Sequence, residues 1–114
     1  IIATAPSMLP SGSRGYLDGG QLEHLCMSPG SDDNGALGLC LGYLAGSMDQ
    51  LLAGASSAPT RALSVCPPSE VTVEQLRLLV VAHLRVHPRD RASAAASVVE
   101  KVVAGAYPCP LFGS

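Results

Sequence analysis

The sequence predicts a small all-α domain of four helices, stapled by two disulfides and preceded by an extended N-terminal arm. Three observations lead there. Apolar residues recur at three- and four-residue intervals along four segments, which is the helical period. Four cysteines, Cys26, Cys40, Cys66 and Cys109, form an even set with no CxxC pair, a pattern that suits crosslinks in an exported domain rather than metal ligands. Aromatic residues are 4% of the chain and tryptophan is absent. The core must therefore come from Leu, Val and Ala, which favours close helix packing over aromatic-rich sheets. At 114 residues one domain is expected. Its parts are an arm over residues 1–16, a helical domain over 17–110 and a tail over 111–114.

The arm is rich in Pro, Ser and Gly. A first helix is expected over 17–27, capped by Asp18, with Leu22, Leu25 and Cys26 on one side, and Ser28-Pro29-Gly30-Ser31 stops it. Asp32, Asp33 and Asn34 offer caps for a second helix over 35–53. Its inward stripe reads Leu37, Cys40, Leu41, Leu44, Met48, Leu51 and Leu52. Beside that stripe run Gly38, Gly42 and Gly46. Glycine costs helix propensity, so three at this spacing imply close approach of another helix, within the chain or across a dimer axis. Residues 54–70 read as a long connection.

The third helix opens on a capping box, Thr72 and Gln75, with Val71 stapling against Leu76. Leu76, Leu79, Val80, His83, Leu84 and His87 follow on one face, and Pro88 ends the helix at His87. Arg89-Asp90-Arg91 makes a charged turn. A fourth helix over 92–107 turns Ala95, Val98, Val99, Val102, Val103 and Ala106 inward.

Helices three and four, joined by so short a turn, should form an antiparallel hairpin. The start of one then lies beside the end of the other, which brings Cys66 to Cys109 and leaves Cys26 for Cys40. Disulfides persist outside the reducing cytosol, so a periplasmic or extracellular setting is expected. The chain opens Ile1-Ile2-Ala3 without an initiator methionine, the start expected of a mature exported protein whose signal peptide has been removed.

The formal charge of −2, with seven scattered Lys and Arg, argues against nucleic acid as a partner. No apolar run reaches the roughly 18 to 20 residues of a membrane span, so no membrane insertion is expected. Catalytic patterns are equally lacking. Paired cysteines supply no thiolate, there is no G-x-S-x-G elbow, and Asp32 and Asp33 read as caps. His83 and His87 have a metal-compatible spacing, but position 84 is leucine where a metalloprotease helix carries glutamate. Tyr43 could offer a hydroxyl, yet a helical tyrosine between glycines is more often packed. The expectation is a binding protein with no enzymatic activity, no cofactor and no metal.

Five segments then carry a resemblance. Cys40-x-Gly42-Tyr43-x-x-Gly46-x-x-Asp49, Cys66-x-Pro68, Val71-Thr72-Val73-x-Gln75-Leu76, Leu84-x-x-His87-Pro88 and Tyr107-Pro108-Cys109 occur in order. Together they resemble the Rap/Tai family of immunity proteins of bacterial type VI secretion, over about residues 17–110. The resemblance implies a periplasmic, disulfide-bonded homodimer that protects the cell wall. Its partner would be a peptidoglycan amidase effector, a cysteine amidase of the NlpC/P60 type, whose catalytic cleft is filled by a protruding segment of the inhibitor.

Two segments here could fill a cleft, the 87–91 turn and the 54–70 connection. The turn is favoured, with Arg89, Asp90 and Arg91 at its tip and Glu74, Arg77 and Arg85 pointing outward from the third helix. The alternatives are a periplasmic acid-stress chaperone, which the 14% charged residues argue against, and an orphan helical binding protein without a toxin partner.

Overall fold

The capping signals at Asp18 and at Thr72 both form as hydrogen-bonded boxes. The Asp18 carboxylate accepts from the Gln21 N–H at 2.8 Å, and Gln21 Oε1 accepts from the Asp18 N–H at 2.9 Å. Thr72 Oγ1 accepts from the Gln75 N–H at 3.1 Å, and Gln75 Oε1 accepts from the Thr72 N–H at 2.8 Å. Each box satisfies donors that a helix start leaves unpaired.

A computed structural model of the chain describes residues 15–28, 35–57 and 65–110. Among them lie four α-helices: α1 (Gly19–Cys26), α2 (Ala36–Ser57), α3 (Val73–Val86) and α4 (Ala95–Ala106), with a 3-10 turn (Pro88–Ala92) between the last two. The domain is all-α, as expected, and no strand occurs among the described residues. The expected caps Asp32, Asp33 and Asn34, the C-terminal tail and nearly all of the arm lie outside the described residues, as does much of the 54–70 connection.

Two boundaries differ from expectation. α2 continues to Ser57, because Gly54, Ala55 and Ser56 weaken a helix without breaking it. α4 starts at Ala95 rather than at 92. Ser93 and Ala94 take extended backbone (ψ 160° and 137°), because they pair with the chain entering α1. The Gly19 N–H donates to the Ser93 carbonyl at 2.8 Å and the Ala95 N–H to the Leu17 carbonyl at 2.9 Å. This antiparallel bridge, centred on Asp18 and Ala94, outweighs the helix propensity of the alanines.

The core joins all four helices. Leu22 and Cys26 of α1, Cys40 and Leu44 of α2, Leu76, Val80, Val81 and Leu84 of α3, and Ala95, Val98, Val99, Val102 and Val103 of α4 are buried together, with Val65 beneath them. Ala106 and His87, expected on inward faces, are exposed.

The expected disulfides are both present. Cys26–Cys40 and Cys66–Cys109 have Cα separations of 5.0 and 4.9 Å and close loops of 14 and 43 residues. On the chain-entropy model these loops correspond to about 3 and about 4 kcal/mol. The Cys66 N–H also donates to the Tyr107 carbonyl at 2.8 Å, so the open end of the α3–α4 hairpin is closed by a covalent link and a hydrogen bond side by side.

α2 departs most from its expected packing. Of its proposed inward stripe only Cys40 and Leu44 are buried; Leu37, Leu41, Met48 and Leu51 are half-buried and Leu52 is exposed. Residues 36–53 have mean hydropathy 1.2 with 11% of them buried. Contrary to the sequence expectation, this stretch is long and apolar enough to cross a membrane by length and composition alone. Gly38, Gly42 and Gly46 have no close neighbour among the described residues, since a Cβ built on any of them meets nothing there within 4 Å. The in-chain alternative for that stripe thus finds no partner helix among the described residues.

The glycine that does admit another backbone is Gly19. A Cβ there would collide with the Asp90 carbonyl oxygen and lie 3.1 Å from Arg91 Cα. Gly19→Ala is therefore expected to destabilise by about 1–3 kcal/mol in urea unfolding, despite alanine's better helix propensity. Gly105→Ala, at an open position of α4, should instead gain up to about 1 kcal/mol. Equal stability of the two variants would show that α1 does not rest on the turn.

Candidate functional site

The α3–α4 hairpin ends in a tip whose shape follows from proline. Pro88 forces His87 out of the helix (φ −121°, ψ 72°), and the next residues tighten into the 3-10 turn. The Asp90 N–H donates to the His87 carbonyl at 3.0 Å and the Ser93 N–H to the Asp90 carbonyl at 3.1 Å.

Side chains brace this turn from three helices. His83 of α3 places Nε2 2.7 Å from Asp90 Oδ2. Lys101 of α4 donates to both Asp90 oxygens at 3.1 and 3.3 Å. Arg91 forks onto Glu23 of α1, with Nε at 2.7 Å from Oε1 and the second nitrogen at 3.1 Å from Oε2. Such two-pronged contacts fix orientation as well as distance. Asp90 and Glu23 are largely shielded, with side chains 15% and 12% exposed. The hydrogen bond from His83, then that from Lys101, holds the Asp90 carboxyl below the usual aspartate range. Arg91 does the same for Glu23.

The six residues expected to touch a partner thus fall into unlike groups. Arg89 and Arg85 are exposed, and Arg89 makes no hydrogen bond or ion pair with any described residue. Asp90 and Arg91 sit at the tip but are engaged within the chain. Glu74 and Arg77 lie toward the far end of α3, about 20 and about 15 Å along the axis from His87 at 1.5 Å per residue. There Arg77 Nε donates to Glu74 at 2.8 Å and another of its nitrogens to the Cys26 carbonyl at 2.7 Å. Arg77, expected to point outward, is 20% exposed and ties α3 to the end of α1. It is placed as a brace, which corrects the sequence reading. Glu74 remains exposed, its carboxyl held low by Arg77.

The other candidates are also placed. The rings of His83 and His87 stack with centroids 4.4 Å apart, and His83 Nε2 is engaged by Asp90. No group of three His, Cys, Asp or Glu side chains among the described residues could hold a metal ion. Both cysteine pairs are oxidised and no thiol is free. Tyr43, half-buried, has its hydroxyl pKa raised by burial and lines an open groove of about 590 Å³ between α2 and α4, with Gly42, Gly46 and Leu51.

Sequence reasoning missed Glu23 and Lys101. Their partners lie 68 and 11 residues away, beyond the reach of helical spacing. The second half of the first capping box, Gln21, was legible at three residues from Asp18.

Asp90→Asn should lower stability at neutral pH by removing these two charged contacts. A carboxyl held low in the folded state contributes above its unfolded pKa and loses that contribution as pH falls through the folded value. The gap between wild type and Asp90→Asn in urea unfolding should therefore be widest at neutral pH and close in strong acid. A gap independent of pH would contradict the pairing.

Neither a curated protein nor a solved structure matches the chain. The family model for Rap1a immunity proteins matches residues 18–109, from the N-cap of α1 to the last cysteine. An immunity protein acts on a toxin or effector partner, and two disulfides with such a partner point to an oxidising compartment outside the cytosol. The chain belongs to the Rap1a immunity protein family.

Proposed function

We propose that the chain works in the periplasm, where it binds a peptidoglycan amidase effector of type VI secretion and occludes its catalytic cleft with the α3–α4 tip. The effector would be a cysteine amidase of the NlpC/P60 type. One observation supports this most directly: the tip is braced by internal ion pairs while Arg85, Val86, His87, Pro88 and Arg89 stay exposed. A segment that enters a cleft gains by being rigid beforehand, since less freedom is lost on binding. Arginine is also enriched among the residues that anchor protein interfaces. The oxidising compartment that the disulfides require is also where peptidoglycan lies.

We further infer a homodimer formed through the outer face of α2. Gly38, Gly42 and Gly46 leave its backbone open to close approach, and Leu39, 63% exposed, stands beside them. A two-fold axis across this face would set the same glycines of two copies against each other.

Each proposal has its own test. Arg89→Glu should weaken inhibition of the amidase about 30-fold, the scale of an interface hot spot, while helix content by circular dichroism stays constant. Unaltered inhibition would move the contact away from the tip. Gly42→Leu should convert a dimer to monomer in sedimentation velocity without loss of fold stability. An unchanged oligomeric state would remove α2 from the interface.

A further inference from the structure

Behind the exposed edge lies an open recess of about 500 Å³, lined by His83, Val86, His87, Pro88, Arg89, Asp90 and Lys101. We propose that it receives an acidic side chain, Asp or Glu, presented by the protein partner. That the partner is a protein rests on the immunity reading above; that the ligand is a carboxylate rests on the recess itself.

Charge is the first argument. The chain as a whole carries −2, yet the recess gathers Arg89 and Lys101, two permanent cations, around one carboxylate. That carboxylate is already covered. Both oxygens of Asp90 are engaged, by His83 Nε2 at 2.7 Å and Lys101 Nζ at 3.1 and 3.3 Å, and its side chain is 15% exposed. A net positive charge therefore faces the opening.

Donor capacity is the second. Arg89 is exposed and makes no hydrogen bond or ion pair with a described residue, leaving its guanidinium fork free for a two-pronged carboxylate contact. Lys101 is 60% exposed and has a third N–H beyond the two aimed at Asp90. The rings of His83 and His87, with centroids 4.4 Å apart and tilted by 33°, line the recess beside these donors.

The rim narrows the choice of ligand. Val86 is 71% exposed and Pro88 is exposed beside it. An apolar lip around a basic floor complements an acidic side chain flanked by apolar neighbours; a fully hydrated inorganic anion has no use for the lip. Asp90 serves as a positioning residue: it holds Lys101 and His83 at the floor, while Arg89 is left to the ligand.

The test uses the full chain, labelled for NMR, and the peptide N-acetyl-Leu-Asp-Leu-amide, with the Asn peptide and inorganic phosphate as separate titrants at constant pH and ionic strength. The Asp peptide should shift the Arg89 Nε–H and His87 ring signals in a saturable way. Its affinity should fall at least about tenfold in Arg89→Gln and recover in part in Arg89→Lys. The Asn peptide should bind at least about tenfold more weakly. Equal response to the Asp and Asn peptides would overturn the proposal, as would undiminished binding in Arg89→Gln. Saturable binding of phosphate without binding of the Asp peptide would also overturn it, in favour of a free-anion site. Amidase inhibition is read in a separate assay, so failure of the recess and failure of the inhibitor reading are distinguishable.

Discussion

The Cys66–Cys109 bridge closes the open end of the α3–α4 hairpin, and the rest of the molecule depends on that closure. With both ends of the hairpin defined, one by sulphur and one by Pro88, the two helices hold their register and their valines meet across a single interface. α1 then has a fixed turn on which to rest. Its start lies against Ser93 and Asp90 through backbone contacts that only a glycine at position 19 permits. Cys26–Cys40 carries the same rigidity on to α2. Each bridge is a large fraction of the 5–15 kcal/mol typical of a whole domain.

The charged residues divide accordingly. A chain with so few of them places most of those near the tip in internal pairs: Asp90 with His83 and Lys101, Arg91 with Glu23. These pairs are partly shielded, and their geometry stiffens the turn more than their modest energies would stabilise the fold. What remains outward is a short edge in which Arg89 has no described partner. A protein that acts by filling space needs this combination of a held frame and a free contact.

Much of the fold was legible in the sequence because it is encoded locally. Asp18, and Thr72 with Gln75, announce helix starts at fixed spacing, Pro88 announces a stop, and the valines at 98, 99, 102 and 103 announce a buried face. The bridge between Cys66 and Cys109 followed from hairpin geometry alone. The failures share a cause, which is pairing between distant segments. Nothing local tells that Ser93 and Ala94 leave the helix to pair with the entry to α1, or that Arg91 reaches Glu23 rather than solvent. The same holds for Arg77, which turns from its expected outward direction to the Cys26 carbonyl. The glycine stripe of α2 left its neighbour open for a related reason. Its spacing shows that something can approach closely, and does not show whether the neighbour belongs to the same chain, whereas Gly19, unremarkable by pattern, is the glycine the packing needs.

The central claim is a covalently braced helical body, and thiol mapping by mass spectrometry tests it most directly. Native protein treated with an alkylating reagent should take up no label. Digestion without reduction should yield linked peptides joining Cys26 to Cys40 and Cys66 to Cys109, and reduction should open all four thiols with loss of thermal stability. Four labelled cysteines in native, fully helical protein, or linked peptides in any other pairing, would contradict the account.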